Sequence, residues 1–101
     1  MNIHYGYKVV RKGNRGFVST IRTPSKVTYR INQWTEPNKG KGALAVFSRY
    51  KDAEEFIAAC CQRGKLYACQ YVQHKGKAPY QSNIIGKVFA SKVKLTRWYG
   101  E

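Results

Sequence analysis

Acidic residues are scarce in this chain. It carries 5 Asp and Glu against 19 Lys and Arg, and its formal net charge is +14. Three of the acids, Asp52, Glu54 and Glu55, lie in one short stretch, and the others are Glu36 and Glu101. The cluster is explained by a helix start, where the helix dipole favours negative side chains. Two remaining acids are too few for a supported general acid and base, so the sequence argues against carboxylate catalysis.

Cysteine and histidine are also few. Cys60, Cys61 and Cys69 form an odd, unpatterned set, which is typical of a reducing compartment. Structural zinc takes paired C-x₂₋₄-C spacing, whereas consecutive side chains on a helix project roughly 100° apart. Nothing in the sequence places His4 or His74 beside a thiol. We therefore expect buried free thiols, no metal, no cofactor and no Cys-His nucleophile.

Long apolar runs are absent. No segment approaches the ~20 residues of a membrane-spanning helix, and the start MNIHYGYKVV lacks the apolar region of a signal peptide. The sequence predicts a cytoplasmic protein with no membrane partner.

Apolar and aromatic residues are plentiful enough for a folded core. The hydrophobic fraction is 43% and the aromatic fraction 14%, which is more than a disordered basic chain contains. With 101 residues, a second independent core would leave too little apolar surface in either half. We predict a single domain over residues 1–101.

Positive charge is spread along the whole chain. Residues 51–62 carry a net charge of −2, so the remaining residues carry +16. A basic tail would concentrate the charge at one end, whereas this distribution predicts a charged surface on a folded body. The total exceeds the magnitude of about 2 to 8 that solubility alone requires in a small domain. The composition favours an anionic partner.

Apolar periodicity predicts several strands and one helix. In the helix, Ala53, Phe56, Ile57 and Cys60 follow i, i+3, i+4, i+7 spacing, with Ser48 as the expected N-cap and Gly64 as the stop. The period-two or continuously apolar segments that predict strands are 4–11, 17–21, 27–31, 44–47, 66–72, 84–89 and 93–98. The predicted fold is α+β: a small, mostly antiparallel sheet with one helix packed on one face. Basic residues should then dominate the uncovered face and the long loop at 73–83.

The run WTEPNKGKGALAVF at residues 34–47 contains a glycine and lysine loop. A phosphate-binding Walker loop lies between a strand and a helix, whereas these glycines precede a predicted strand. The loop at 38–42 is therefore interpreted as a connection, and an electrostatic role for Lys39 and Lys41 stays open.

Aromatic and basic residues are interleaved along the predicted strands. An exposed sheet face of this kind can stack bases while lysine and arginine neutralise phosphates. Half or more of these aromatic residues should be core, because strand alternation places every other one inside. Neither an RNA-recognition motif nor a helix-turn-helix is present, so sequence-specific recognition is not indicated. The residues concerned are Tyr5, Tyr7, Lys8, Tyr29, Arg30, Trp34, Tyr67, Tyr71, Arg97 and Trp98.

The order YKVVRKGN, then Ser19, Tyr29-Arg30, WTEP at 34–37, a glycine and LAVFSRYKDAEEF at 44–56 resembles a family of short uncharacterised proteins encoded by bacteriophages and bacterial genomes. The resemblance covers the first two-thirds of the chain and carries over no catalytic residues. It implies a phage or mobile-element setting, with the host cytosol as the location. Small proteins of that setting often bind nucleic acid or disable host machinery.

The leading hypothesis is a non-enzymatic module that binds nucleic acid or a nucleoprotein. An alternative is a phage inhibitor of a host defence factor that binds a host protein or an anionic signalling nucleotide, and a third is an enzyme of unrecognised class. DNA or RNA as the partner, and the oligomeric state, stay open. Trp34 or Trp98 is expected to stack on bases. The expected phosphate contacts are Lys75, Lys77, Lys87, Lys92, Lys94 and Arg97, followed by Lys39 and Lys41.

Overall fold

Seven strands and one helix make up the described part of the chain. A computed structural model describes residues 2–21, 26–40, 42–60, 62–78 and 84–99. The elements are β1 (Ile3–Lys12), β2 (Phe17–Ser19), β3 (Thr28–Tyr29), β4 (Trp34–Thr35), β5 (Leu44–Phe47), α1 (Tyr50–Cys60), β6 (Lys65–Gln73) and β7 (Lys87–Trp98). Every pairing between named strands is antiparallel. A mostly antiparallel α+β domain with a single helix is thus confirmed for these residues.

Four strands pair in a closed ring. β6 pairs with β1 on one side and with β7 on the other, and β5 pairs with the first residues of β7. The ring closes where Tyr7 of β1 meets Phe47 of β5. β2 and β3 extend the sheet from the end of β1, while β4 pairs with β7. A sheet that meets itself in this way is a small barrel, with an interior that side chains fill.

Gly6 allows β5 to approach β1 closely where the ring closes. A Cβ at this position would lie 2.5 Å from the Phe47 carbonyl oxygen and 2.9 Å from a ring carbon of Tyr71. Glycine within a strand commonly marks such a close approach of another backbone. The residue therefore permits β5 to close against β1.

Two bulges bend β7. Its register against β6 shifts twice, so that Ser91 and Thr96 have no residue opposite them. The hydroxyl of each donates a hydrogen bond to a β6 carbonyl, Ser91 to Val72 at 3.2 Å and Thr96 to Ala68 at 3.1 Å. Bulges increase the local twist of a strand. The two in β7 are thus suited to coil the sheet into a ring.

Apolar side chains form one cluster inside the barrel and another outside it. The outer cluster joins Ala53 of α1 to Val9 of β1 and Phe47 of β5, with Phe56 and Ile57 packed against it. The inner cluster consists of Val10, Tyr29, Leu44, Val46, Tyr67, Cys69, Tyr71, Ala90, Val93 and Leu95.

Several local predictions are wrong. The two strands expected at 84–89 and 93–98 are one strand, β7, because the bulges interrupt its period-two pattern without ending it. β4, a segment for which the sequence predicts no strand, forms by pairing with β7. The Ala53 N–H donates to the Arg49 carbonyl, so Arg49 occupies the N-cap position expected for Ser48. Cys60 is exposed at the last helical position and Cys69 is buried, whereas Cys61 lies outside the described residues.

Candidate functional site

The outer face of β1, β6, β7 and β4 brings basic and aromatic side chains together. Directly opposed residues in antiparallel strands project to the same face. Lys94 of β7 stands opposite Gln70 on one side and Trp34 on the other, and Gln70 in turn stands opposite Tyr5. One row of side chains therefore crosses four strands from Tyr5 to Trp34.

Lys92 and Arg97 lie on the same face, in the rows on either side of Lys94. Lys92 pairs with Val72 and Arg97 pairs with Ala68. Consecutive outward residues on a strand are about 6.6 Å apart. We name the group Tyr5, Trp34, Lys92, Lys94 and Arg97 the basic aromatic face.

Trp34 is half-buried, and two lysines of this face lie close to its ring. The Lys92 Nζ lies 5.0 Å from the centroid of its ring, and the Lys94 Nζ lies 5.1 Å from it. An ammonium group at this distance is attracted to the negative face of the indole. Trp34 belongs to neither apolar cluster of the described residues. Its ring is engaged by cations.

Solvent reaches much of the basic aromatic face. Tyr5 is 75% exposed, Arg97 is exposed, and the two lysines are partly exposed. The helix makes its main contacts elsewhere, with β5 and with the part of β1 near Val9. The helix also carries the acidic cluster, so negative charge and the basic aromatic face belong to different elements.

Tyrosines continue the face beyond Arg97. The guanidinium carbon of Arg97 lies 5.5 Å from the Tyr99 ring centroid. Tyr99 in turn contacts Tyr7 at 5.7 Å and Tyr50 at 5.8 Å between ring centroids. Aromatic rings therefore lie beside the two lysines, at Trp34, and beyond Arg97, at Tyr99.

Two predicted contact residues lie apart from this group. Trp98 stands opposite Tyr67, whose side chain faces the barrel interior, so the two tryptophans project to opposite sides of the sheet. Lys65 lies 5.2 Å from the Trp98 ring centroid. Lys87 is at the start of β7, 3.9 Å from the Phe89 ring centroid, and partial burial lowers its pKa.

The remaining predicted phosphate contacts are in loops. Lys75 and Lys77 are exposed on either side of Gly76, after the end of β6, and the His74 side chain meets the Lys77 carbonyl at 3.2 Å. Lys39 is exposed between β4 and β5, and Lys41 lies outside the described residues. Of the ten predicted contact residues, the structure thus brings together Trp34, Lys92, Lys94 and Arg97.

Lys8 is not part of any exposed surface, contrary to its grouping with the strand aromatics. It is fully buried inside the barrel, where its Nζ donates to the Ser19 hydroxyl at 2.8 Å and to the Ala45 carbonyl. Burial lowers the pKa of Lys8 to about 7. Burial also raises the pKa of the neighbouring Cys69 thiol to about 12. Tyr29 lies beside the amine, with 5.2 Å between the Nζ and the ring centroid.

Tyr5 is one of the aromatic residues interleaved with basic ones, but the sequence does not predict it as a contact residue. Alternation places Tyr5 and Tyr7 on one side of β1, and it does not reveal which of them the helix approaches. The pairing of Tyr5 with Gln70, and through it with Lys94 and Trp34, depends on contacts that are distant in sequence.

Metal-binding groups and membrane-spanning helices are not found in the described ranges. No three His, Cys, Asp or Glu side chains there are grouped to hold a metal ion. No helix in those ranges is long and apolar enough to cross a membrane. Comparison of the chain with protein-family models, curated proteins and solved structures gives no match.

Proposed function

We propose that this protein is a non-enzymatic module that binds nucleic acid, alone or in a nucleoprotein, through the basic aromatic face. The observation that carries the proposal is the outward row of Lys92, Lys94 and Arg97 on β7, with Trp34 against the two lysines. Cations on a strand can neutralise successive phosphates, while an exposed aromatic ring offers a surface for a base.

The overall charge supports this proposal. A chain of net charge +14 attracts polyanions and accelerates their association. We further propose that the helix covers only one part of the outer face of the sheet, at β5 and at β1 near Val9, which leaves the basic aromatic face on the same side open to a ligand. The packing of Ala53 against Val9 and Phe47 supports that arrangement. A phage or mobile-element setting is also proposed, on the resemblance of residues 7–56 to proteins of that origin.

Charge reversal tests the proposal. In a triple variant with Lys92→Glu, Lys94→Glu and Arg97→Glu, we expect nucleic-acid affinity to fall by a factor of ten or more at about 0.1 M salt. The slope of log K against log salt should fall by roughly 2 to 3, because each lost phosphate contact removes about 0.7 to 0.9. Retardation or anisotropy titrations with single- and double-stranded DNA and RNA at several salt concentrations measure both quantities.

A matched control carries the same change in net charge elsewhere. Arg15, Lys51 and Arg63 are exposed and lie off the basic aromatic face, so their replacement by glutamate should change affinity by less than the β7 variant does. Equal losses in the two variants would mean that binding follows net charge alone, without a defined face. If the wild-type protein bound no nucleic acid and co-purified with a protein partner after nuclease and high salt, the inhibitor hypothesis would replace this one.

A further inference from the structure

We propose that the basic aromatic face takes an unpaired nucleic-acid strand, and that a base replaces a lysine ammonium on the ring of Trp34. This inference rests on the proposed function and names the form of nucleic acid that the same face binds. It follows from the state of Trp34 in the free protein. The indole is half-buried, and two ammonium groups lie about 5 Å from its centroid.

The exchange is favourable because the two contacts differ in strength. A cation beside an aromatic ring at a solvent-exposed site is attracted only weakly. A base stacked on an aromatic side chain is held more strongly, and any of the bases will serve because each has a flat face. A base can therefore displace Lys92 or Lys94 from the ring. The displaced ammonium stays on a long flexible stem and can reach a phosphate beside the stacked base.

A second aromatic side chain lies across the same row. Tyr5 is separated from Trp34 by β6 and β7, which is three strand spacings or about 14 Å. Gln70 and Lys94 fill the positions between them. A nucleic-acid strand that crosses β7 along this row would bring a phosphate to Lys94, with Lys92 and Arg97 in the rows on either side, and would offer bases to Trp34 on one side and to Tyr5 on the other. The side-chain amide of Gln70, which lies between the two rings, can donate hydrogen bonds to base edges and accept hydrogen bonds from them.

Duplex nucleic acid fits the described structure less well. Bases inside a duplex are stacked on each other, so their faces are not available to an indole. Proteins that recognise the major groove usually insert a helix into it. The helix of the described residues is acidic: it carries Asp52, Glu54 and Glu55 and one basic residue, Lys51. Its net charge of −2 would be repelled by the phosphates that line a groove.

Tryptophan fluorescence tests the inference. The chain has two tryptophans, so a Trp98→Phe background leaves Trp34 as the single indole. Titration with an oligothymidylate should quench its emission, and titration with a hairpin duplex of equal phosphate number should leave most of the emission unchanged. In the same background, Trp34→Ala should weaken binding of the single strand about 5- to 150-fold, the range that loss of one stacked base gives. Trp34→Phe should retain most of the affinity, because a phenyl ring still stacks.

Four results would overturn the inference while leaving nucleic-acid binding intact. These are equal affinity for the duplex and the single strand, an unquenched indole in the bound complex, equal losses for both ligands in Trp34→Ala, and a loss in Trp34→Phe as large as in Trp34→Ala. If Trp34→Ala did not fold, as judged by its melting transition, two measurements would still test the inference. These are the quenching of Trp34 emission by each ligand and the affinities of Trp34→Phe for the single strand and the duplex. Failure to bind any nucleic acid would instead refute the proposed function itself.

Discussion

Lys8 places an amine among aromatic and sulfur-containing side chains inside the barrel. Its hydrogen bonds reach Ser19 on β2 and Ala45 on β5, two strands that otherwise meet β1 over short lengths. The amine thus connects three strands at once. A buried charge is costly even when it is hydrogen-bonded, and burial accordingly lowers the pKa of Lys8 to about 7.

This pKa makes stability depend on pH in a defined direction. Because the folded pKa of Lys8 lies below its unfolded value of 10.5, the unfolded chain holds the proton more tightly. The free energy of unfolding should therefore rise with pH from about 7 upward, by roughly 2 kcal/mol between about pH 6 and pH 8.5. Above pH 9 Cys69 opposes this rise, since its thiol ionises more readily in the unfolded chain. Urea denaturation at a series of pH values measures the effect.

Lys8→Met should remove most of this rise, because methionine fills a similar volume and does not titrate. The control is Lys51→Met, which alters an exposed lysine on the helix and should keep the wild-type slope. A Lys8→Met protein with an unchanged pH slope would assign the titration to another group.

At the scale of elements, closure of the ring depends on very few residues. β5 meets β1 at one residue pair, and Gly6 lies beside that pair. An alanine at position 6 must push either the Phe47 carbonyl or the Tyr71 ring away. Neither is the free end of a flexible side chain, so the clash cannot be relieved cheaply.

We expect Gly6→Ala to lower the free energy of unfolding by roughly 2 to 3 kcal/mol, at the upper end of overpacking effects. Gly40→Ala is the control, since Gly40 has open space around it and a φ of 76°. It should cost only the backbone strain of about 1 kcal/mol that a left-handed residue incurs. Equal losses in the two variants, measured by denaturant titration, would contradict a steric role for Gly6.

The sequence predicted those elements whose own residues show the spacing of apolar side chains typical of a strand or a helix. The continuously apolar β5 was predicted at its observed bounds, and the helical spacing from Ala53 to Ile57 located α1. β4 could not be predicted, since Trp34 and Thr35 are extended only because β7 lies beside them. Ring closure depends on the same kind of distant pairing.

The candidate site shows the same limit. Composition indicated lysines, arginines and tryptophans as contacts, and it could not distinguish Trp34 from Trp98. That distinction follows from register, because Trp34 stands opposite Lys94 whereas Trp98 stands opposite Tyr67. The burial of Lys8 could not be predicted from the sequence either. Alternation of side chains along β1 does not reveal that both sides of this strand are covered near Val9 and Val10.

At the scale of the whole molecule, charge should limit stability. With 19 basic and 5 acidic side chains, the folded state holds like charges close together, and self-repulsion of this kind disfavours compact states. Added salt screens it. Raising sodium chloride from about 0.05 to about 0.3 M shortens the screening length below typical surface separations.

We therefore expect the melting temperature to rise over that salt range, by about 4 to 8 °C if the gain is on the order of 1 kcal/mol. The triple variant Arg15→Glu, Lys51→Glu, Arg63→Glu reduces the net charge and should show a smaller rise. A melting temperature that fell with salt in the wild-type protein would show that attractive pairs outweigh the repulsion. Differential scanning calorimetry gives both values.

The bulge at Ser91 decides which residues of β7 face outward. Ala90 faces the interior, and strict alternation from it would turn Lys92 and Lys94 inward and expel Val93 and Leu95. The bulge takes up Ser91 as one additional backbone unit and so keeps the lysines outward and the apolar residues inward as far as Leu95, beyond which the bulge at Thr96 takes up a second. Deletion of Ser91 would therefore leave the lysines outward and the apolar residues inward, and what the strand would lose is the local bend that helps it to coil into the ring.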